Sequence, residues 1–176
     1  MSAKIEVMIS EEQILKRISE LAEQINNDYR GKELKVVCVL TGGFIFMADL
    51  VKRLNLDVKT DFIDLSSYSS GTESSGNVKI VRDLKTPVKG EHLLVIEDIV
   101  DTGRSYNRIL THILPLEPAS FALCTLLDKP SRRDEELKHL NADYIGFEIE
   151  NEFVVGYGLD FDQKYRNLPF IGRMLN

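Results

Sequence analysis

Residues 93–105, LLVIEDIVDTGRS, constrain the fold of this 176-residue chain more than any other stretch. An apolar run, Leu93 to Ile96, ends in two adjacent carboxylates, Glu97 and Asp98. Ile99 and Val100 lead to a third acid, Asp101, and to a turn of small residues, Thr102-Gly103-Arg104-Ser105. A helical pattern follows, with Ile109, Leu110, Ile113 and Leu114 on one side and Pro115 as its stop. A short apolar run bounded by a turn reads as a buried strand. A buried strand that feeds a tight loop at the start of a helix is how α/β proteins hold a phosphate. The loop and helix N–H groups face the anion, and ligands sit outside the carboxyl ends of the strands.

The residue types divide the chemistry among themselves. Thr102, Gly103 and Ser105 offer hydroxyl donors and close backbone approach to phosphate oxygens. Glu97 and Asp98 repel phosphate but suit sugar hydroxyls, or a hard cation such as Mg²⁺, which takes few carboxylates and keeps several waters. Asp101 faces the ligand from the loop and has the position of a general base.

A net charge of −6 and a pI near 5.2 argue against non-specific nucleic-acid binding, which depends on excess Lys and Arg. With 43% hydrophobic and 28% charged residues, the chain is an ordinary globular one, long enough for one domain with a real core. Its longest apolar runs are too short to span a bilayer, and residues 1–13 lack the apolar stretch of a signal peptide. Cys38 and Cys124 sit mid-strand among apolar neighbours and read as buried core thiols. A cytoplasmic location is expected.

Ser10 with Gln13 forms a capping-box pattern ahead of Ile14, Leu15, Ile18, Leu21, Ala22 and Ile25, an apolar helical face. A continuous strand, Val36 to Leu40, meets Thr41-Gly42-Gly43, after which Phe44, Met47, Ala48, Val51 and Leu54 are expected along one side of a second helix. Strands are expected over 57–63, 78–82, 93–97, 121–127 and 144–147. Strands alternating with helices imply an α/β fold, a mostly parallel twisted sheet flanked by helices. Ser66 to Asn77 is too polar to pack and too long for a hairpin, and reads as a lid, or else as a mobile insertion with no role, with Tyr68 its one aromatic residue.

Three further places carry candidate chemistry. Thr41-Gly42-Gly43 is a second anion-type turn, or simply a tight strand–helix connection. Lys129 follows an apolar strand directly, where it either donates into the cleft or is solvated beside Pro130. The segment Phe153 to Phe161 is either an aromatic platform for a flat ligand with Asp160 as a polar or metal-facing group, or a core strand with a surface aspartate.

Together these segments resemble the purine phosphoribosyltransferases, and specifically the hypoxanthine–guanine phosphoribosyltransferases, from about Val36 to Arg166. The most specific part is Val95-Ile96-Glu97-Asp98-Ile99-Val100-Asp101-Thr102-Gly103, similar to that family's phosphoribosyl pyrophosphate motif. Gly146-Phe147-Glu148-Ile149 and Phe153 to Asp160 narrow it to the hypoxanthine–guanine branch. The resemblance implies a type I phosphoribosyltransferase fold in a single domain over residues 1–176, with a small hood lobe built from N- and C-terminal segments. It implies a pentosyltransferase of purine salvage that moves ribose 5-phosphate from phosphoribosyl pyrophosphate to N9 of hypoxanthine or guanine with Mg²⁺.

By the same resemblance, Glu97 and Asp98 serve the ribose hydroxyls and the metal. Asp101, Thr102, Gly103, Arg104 and Ser105 cradle the 5′-phosphate, with Asp101 the base near purine N7. Lys129 donates to the 6-oxo group, Phe153 stacks on the purine, the Val154 backbone meets its edge, and Ile99 lines the base site. Asp160 and Arg166 serve a second metal and the pyrophosphate, and Ser67-Tyr68 belongs to the lid. Thr41 and Gly42 form the pyrophosphate turn. The family often has a basic residue where Thr41 stands, so here binding rests on backbone N–H groups and a hydroxyl. A cis peptide is implied between Leu40 and Thr41. A homodimer or homotetramer is implied as well. Xanthine–guanine transfer on the same fold, or a nucleic-acid-binding regulator built on it, are the competing functions.

Overall fold

The computed structural model describes residues 4–67 and 78–175. Six strands form the main sheet: β2 (Leu34–Leu40), β3 (Val58–Ser67), β4 (Val78–Arg82), β5 (His92–Val100), β6 (Ser120–Asp128) and β7 (Tyr144–Glu148), in the order β4-β3-β2-β5-β6-β7. All neighbours are parallel except the edge strand β4, which runs antiparallel to β3. A second, antiparallel sheet joins the chain's two ends: β1 (Lys4–Ile9) pairs with β9 (Ile171–Leu175), which pairs with the short β8 (Val154–Val155).

The alternation of β5 builds a core on each face of the main sheet. Leu94 and Ile96 pack with Val36 and Cys38 under helices α1 (Glu11–Asp28) and α2 (Phe44–Val51). Leu93 and Val95 pack with Val37 and Val39 under α3 (Arg104–Ile113), through Tyr106, Ile109 and Ile113. Each such side chain taken fully out of water contributes roughly 1.5–3 kcal/mol. Both cysteines are buried and free, and burial pushes the Cys38 thiol up to about 12. None of the described helices is long and apolar enough to cross a membrane.

The connections from β2 to β3 and from β5 to β6 leave the sheet in opposite directions. The gap between the carboxyl ends of β2 and β5 is therefore a topological switch point, where open α/β sheets bind their ligands.

Local predictions meet the structure unevenly. The capping box forms: the Ser10 hydroxyl accepts from the Gln13 N–H at 3.3 Å, and the Gln13 side chain accepts from the Ser10 N–H at 2.8 Å. Ile14, Ile18, Leu21, Ala22 and Ile25 are buried, with Leu15 at the margin. The face assigned to α2 is wrong. Phe46, Met47 and Leu50 are buried while Phe44 and Ala48 are exposed, because an eight-residue helix with so many apolar positions has no unique stripe. That helix also stops at Val51, short of Leu54. Leu114 lies beyond the end of α3 and is exposed. Strand β5 does not end at Glu97. It runs to Val100, because β6 keeps pairing it as far as Val100↔Asp128. Of the expected lid, Ser66 and Ser67 end β3, paired with Lys79 and Val78, while residues 68–77 lie outside the described residues.

Replacing Ser10 with Ala removes the α1 cap and is expected to cost about 1 kcal/mol of stability. Urea denaturation measures this, and an unchanged midpoint would show the cap to be idle.

Candidate active site

The carboxylates of β5 emerge beside the gap between β2 and β5. The β2 ladder ends at Cys38↔Ile96, so the next two residues, Glu97 and Asp98, have no backbone partner on that side. The Thr41–Gly42 turn fills the space, with the Leu40–Thr41 peptide cis as the resemblance implied. A Cβ on Gly42 would lie 1.5 Å from Asp98 Oδ2, and one on Gly158 only 2.0 Å from the Gly42 carbonyl oxygen. The Gly42 turn thus lies against the Asp98 carboxylate on one side and the Gly158 backbone on the other, at distances that only glycine permits.

Glu97 is buried, and its Oε2 has no hydrogen-bond partner. Burial, and then the neighbouring Asp98 charge, push its carboxyl well above the usual range. Burial likewise raises Asp98 to about 6, against the opposing pull of the Ile99 N–H, which donates to Asp98 Oδ1 at 2.8 Å, and of the Arg166 charge. A buried acid with an unpartnered oxygen beside a half-buried one forms a donor set that a hard cation or sugar hydroxyls would satisfy. Among the described residues no three His, Cys, Asp or Glu side chains cluster as ligands. Any ion held here therefore draws on few protein oxygens.

A cavity of about 260 Å³ opens next to this pair, lined by Glu97 through Tyr106. The candidate loop residues Asp101, Thr102, Gly103, Arg104 and Ser105 all border it at the N-terminus of α3. The Arg104 guanidinium is engaged by Asp134 at 2.5 Å, so toward the cavity this position offers backbone. Asp101 accepts from Arg132 Nε at 3.1 Å, an ion pair that sequence reasoning missed. A larger groove, about 710 Å³, lies between α1 and Arg53–Leu56, but its polar groups bond one another, as Asn26 does with Arg53 and Asn55.

Lys129 sits one residue past β6, and its N–H donates to the Val100 carbonyl at 3.0 Å. It is not the solvated lysine of the alternative reading: it is buried, its ammonium donates to the Glu152 carbonyl at 2.7 Å, and burial lowers its pKa. Phe153 is 56% exposed and meets Phe161 edge to face at 5.7 Å, while Val154 is buried in β8. Asp160 accepts from Arg166 at 2.8 Å, and Arg166 also donates to the Gly158 carbonyl at 2.7 Å. Two further residues escaped the sequence reading. Tyr157 donates to Asp49 of α2 at 2.5 Å, and Arg133 is buried with its guanidinium under the phosphate-type loop. A buried arginine carries no periodic signal. Only its spacing of five from Asp128, at the end of an apolar strand, hints at the pair.

A parallel sheet with acids and a helix-capping loop at its switch point is the architecture of a ribose-phosphate-handling enzyme. The phosphoribosyl transferase domain family matches residues 8–162, and the chain belongs to that family. Within it, the chain belongs to the hypoxanthine phosphoribosyltransferases. It is 45% identical to the hypoxanthine phosphoribosyltransferase of Haemophilus influenzae over 97% of this chain and 96% of that one. The crystal structure of a hypoxanthine-guanine phosphoribosyltransferase from Bacillus anthracis superposes with a TM-score of 0.91 at 44% identity, covering 99% of this chain and 100% of that chain. The bifunctional protein TilS/HprT of Listeria monocytogenes is 48% identical over 94% of this chain, which spans only about a quarter (25%) of that relative.

Placing a methyl group between Asp98 and the Thr41 turn should dislocate both. Gly42→Ala is expected to lower turnover by about 10²-fold or more, as misplacements near 1 Å do. Initial rates beside a thermal melt check this, and a fully active variant would mean that the turn tolerates displacement.

Proposed function

We propose that this chain transfers ribose 5-phosphate from phosphoribosyl pyrophosphate to N9 of hypoxanthine or guanine, releasing pyrophosphate. The observation that carries the reading is the junction at Val100↔Asp128, where one pair of strands delivers the acid-lined phosphate loop and Lys129 side by side.

In this reading the loop Asp101–Ser105 and the first turn of α3 hold the 5′-phosphate through N–H groups that the helix itself leaves unpaired. Glu97 and Asp98 would hold the ribose hydroxyls and a Mg²⁺ ion, and Asp160 would help to hold a metal on the pyrophosphate side. The bare Glu97 Oε2 supports that fit. Bound there, Mg²⁺ neutralises charge on the departing pyrophosphate. The Thr41–Gly42 turn offers backbone N–H groups and a hydroxyl to the same leaving group, with Arg166 beside it.

The C1′–oxygen bond to pyrophosphate breaks as the bond from N9 to C1′ forms. The proton on purine N7 passes to the Asp101 carboxylate. An ammonium has three donors, so Lys129 can keep the Glu152 carbonyl and still donate to a 6-oxo group. The exposed Phe153 ring supplies the stacking face. Placement and exclusion of water do most of the work, since the ribosyl centre is cation-like in the transition state.

Initial rates with hypoxanthine, guanine, xanthine and uracil at saturating donor and Mg²⁺ test the reading. Turnover of 6-oxopurines alone supports it, and turnover of uracil alone would overturn it. Asp101→Asn is expected to lower turnover by roughly 10²-fold or more while leaving product nucleotide bound, the usual consequence of losing a general base. Near-normal turnover would reduce Asp101 to shaping the loop.

Lys129 carries the base selectivity. Its ammonium cannot accept from the 6-amino group of adenine, and a buried donor left unpaired discriminates strongly. Lys129→Gln, which both donates and accepts, is expected to slow hypoxanthine transfer and to shrink its advantage over adenine, measured as the ratio of kcat/KM values. Undiminished selectivity would move base reading to the backbone near Val154.

A further inference from the structure

We infer that Arg133 is a positioning residue that locks the phosphate loop to the base-reading lysine, so that the two half-sites hold one fixed separation. The inference rests on the transfer reaction proposed above. The β5–β6 ladder stops at Val100↔Asp128, and the site begins one residue further on each strand, at Asp101 and Lys129. Arg133 reinforces this junction beside the backbone bonds from the Lys129 N–H to the Val100 carbonyl and from the Asp134 N–H to the Thr102 carbonyl. Its Nη1 donates to the Val100 carbonyl at 2.8 Å, the Asp101 carbonyl at 2.6 Å and the Lys129 carbonyl at 3.4 Å. Its Nη2 donates to the Asp128 carboxylate, and Nε reaches the Leu140 carbonyl at 3.5 Å. The shaft packs under the turn, with Cδ only 3.2 Å from where a Cβ on Gly103 would stand.

Five donors in a rigid plane can serve acceptors on two loops at once, and no other side chain offers that. The side chain is 4% exposed, so its charge requires the buried Asp128 as counter-ion. Arg133 would touch neither substrate: its donors are taken by the carbonyls of Val100, Asp101, Lys129 and Leu140 and by the Asp128 carboxylate. Lysine at this position keeps the charge but is one point donor, and cannot span both loops.

The test compares wild type, Arg133→Lys and Asp128→Asn in two binding measurements. The first is calorimetry with inosine 5′-monophosphate, which spans the loop and the lysine. The second is inhibition by inorganic pyrophosphate, which engages the Thr41–Gly42 turn on the opposite side of β5. Both variants are expected to lose roughly 10- to 100-fold in nucleotide affinity and turnover, the scale of an ångström-sized misplacement, with pyrophosphate inhibition unchanged. Nucleotide and pyrophosphate affinities falling together would make Arg133 a general stability residue, and unchanged nucleotide affinity would make it a bystander. Either result overturns the inference. If Arg133→Lys yields no folded protein, Asp128→Asn decides by the same two readouts. Wild type that binds no nucleotide and transfers to no purine would instead overturn the reaction itself, and this inference with it.

Discussion

The parallel backbone ladders on either side of β5 are the constraint on which the rest of the site depends, because they end at different heights. On the β2 side pairing ends at Ile96, and on the β6 side it continues to Val100. The early ending opens the gap that receives the Thr41–Gly42 turn beside Glu97 and Asp98. The late ending carries Lys129 up beside Asp101. A sheet with equal ladders would place the acids in a closed wall of strands, or leave the lysine a turn below the loop. The apolar run Leu93–Ile96 anchors this arrangement by burying alternate side chains in the two cores. The height of the carboxylates is therefore set by packing far below them.

The small sheet of β1, β9 and β8 packs its loops against the carboxyl end of the main sheet. It is tied down where its loops meet the main sheet: Glu152 accepts from Lys129, Tyr157 donates to Asp49 of α2, and Gly158 lies against Gly42. Arg173 in turn joins Glu152 and Glu6, and so holds β1, β9 and the loop before β8 together. Each tie lands on a residue next to a candidate ligand group. The segment Phe153 to Phe161 is thus not a continuous core strand. It is two strand residues followed by tight turns, with Tyr157 at a φ of 49° and glycines on both sides of it.

What the sequence shows and what it hides follow from the range of the interactions. The order apolar strand, paired acids, third acid, phosphate-type turn and helix is local. It placed the cavity lining correctly, because backbone geometry alone brings residues 97 to 106 together. The capping box at Ser10 and Gln13 was legible for the same reason. The buried face of α2 was not, since periodicity fails when nearly every position is apolar and only the neighbouring helix decides. The true end of β5 depended on β6, some thirty residues away. The arginines at 132 and 133 had no local mark separating them from solvated charges, yet one pairs with Asp101 and the other lies beneath it. Long-range polar contacts leave no periodicity to read.

The same locality explains where the fold sacrifices stability. An acid whose pKa is raised by folding favours the unfolded chain once pH exceeds its unfolded value near 4. For Asp98 that loss accumulates as pH rises toward about 6, and for Glu97, pushed further by burial and by Asp98, over a wider span. The free site therefore holds two groups whose charged forms folding disfavours. A core strand chosen only for stability would end in apolar residues here, as the adjacent strand does in Val39 and Leu40. An occupant that supplies positive charge or hydroxyl donors at this point would offset that cost. Local inconsistency with folding is the physical mark of a binding site. It falls on the two residues that the ladder of β2 leaves uncovered.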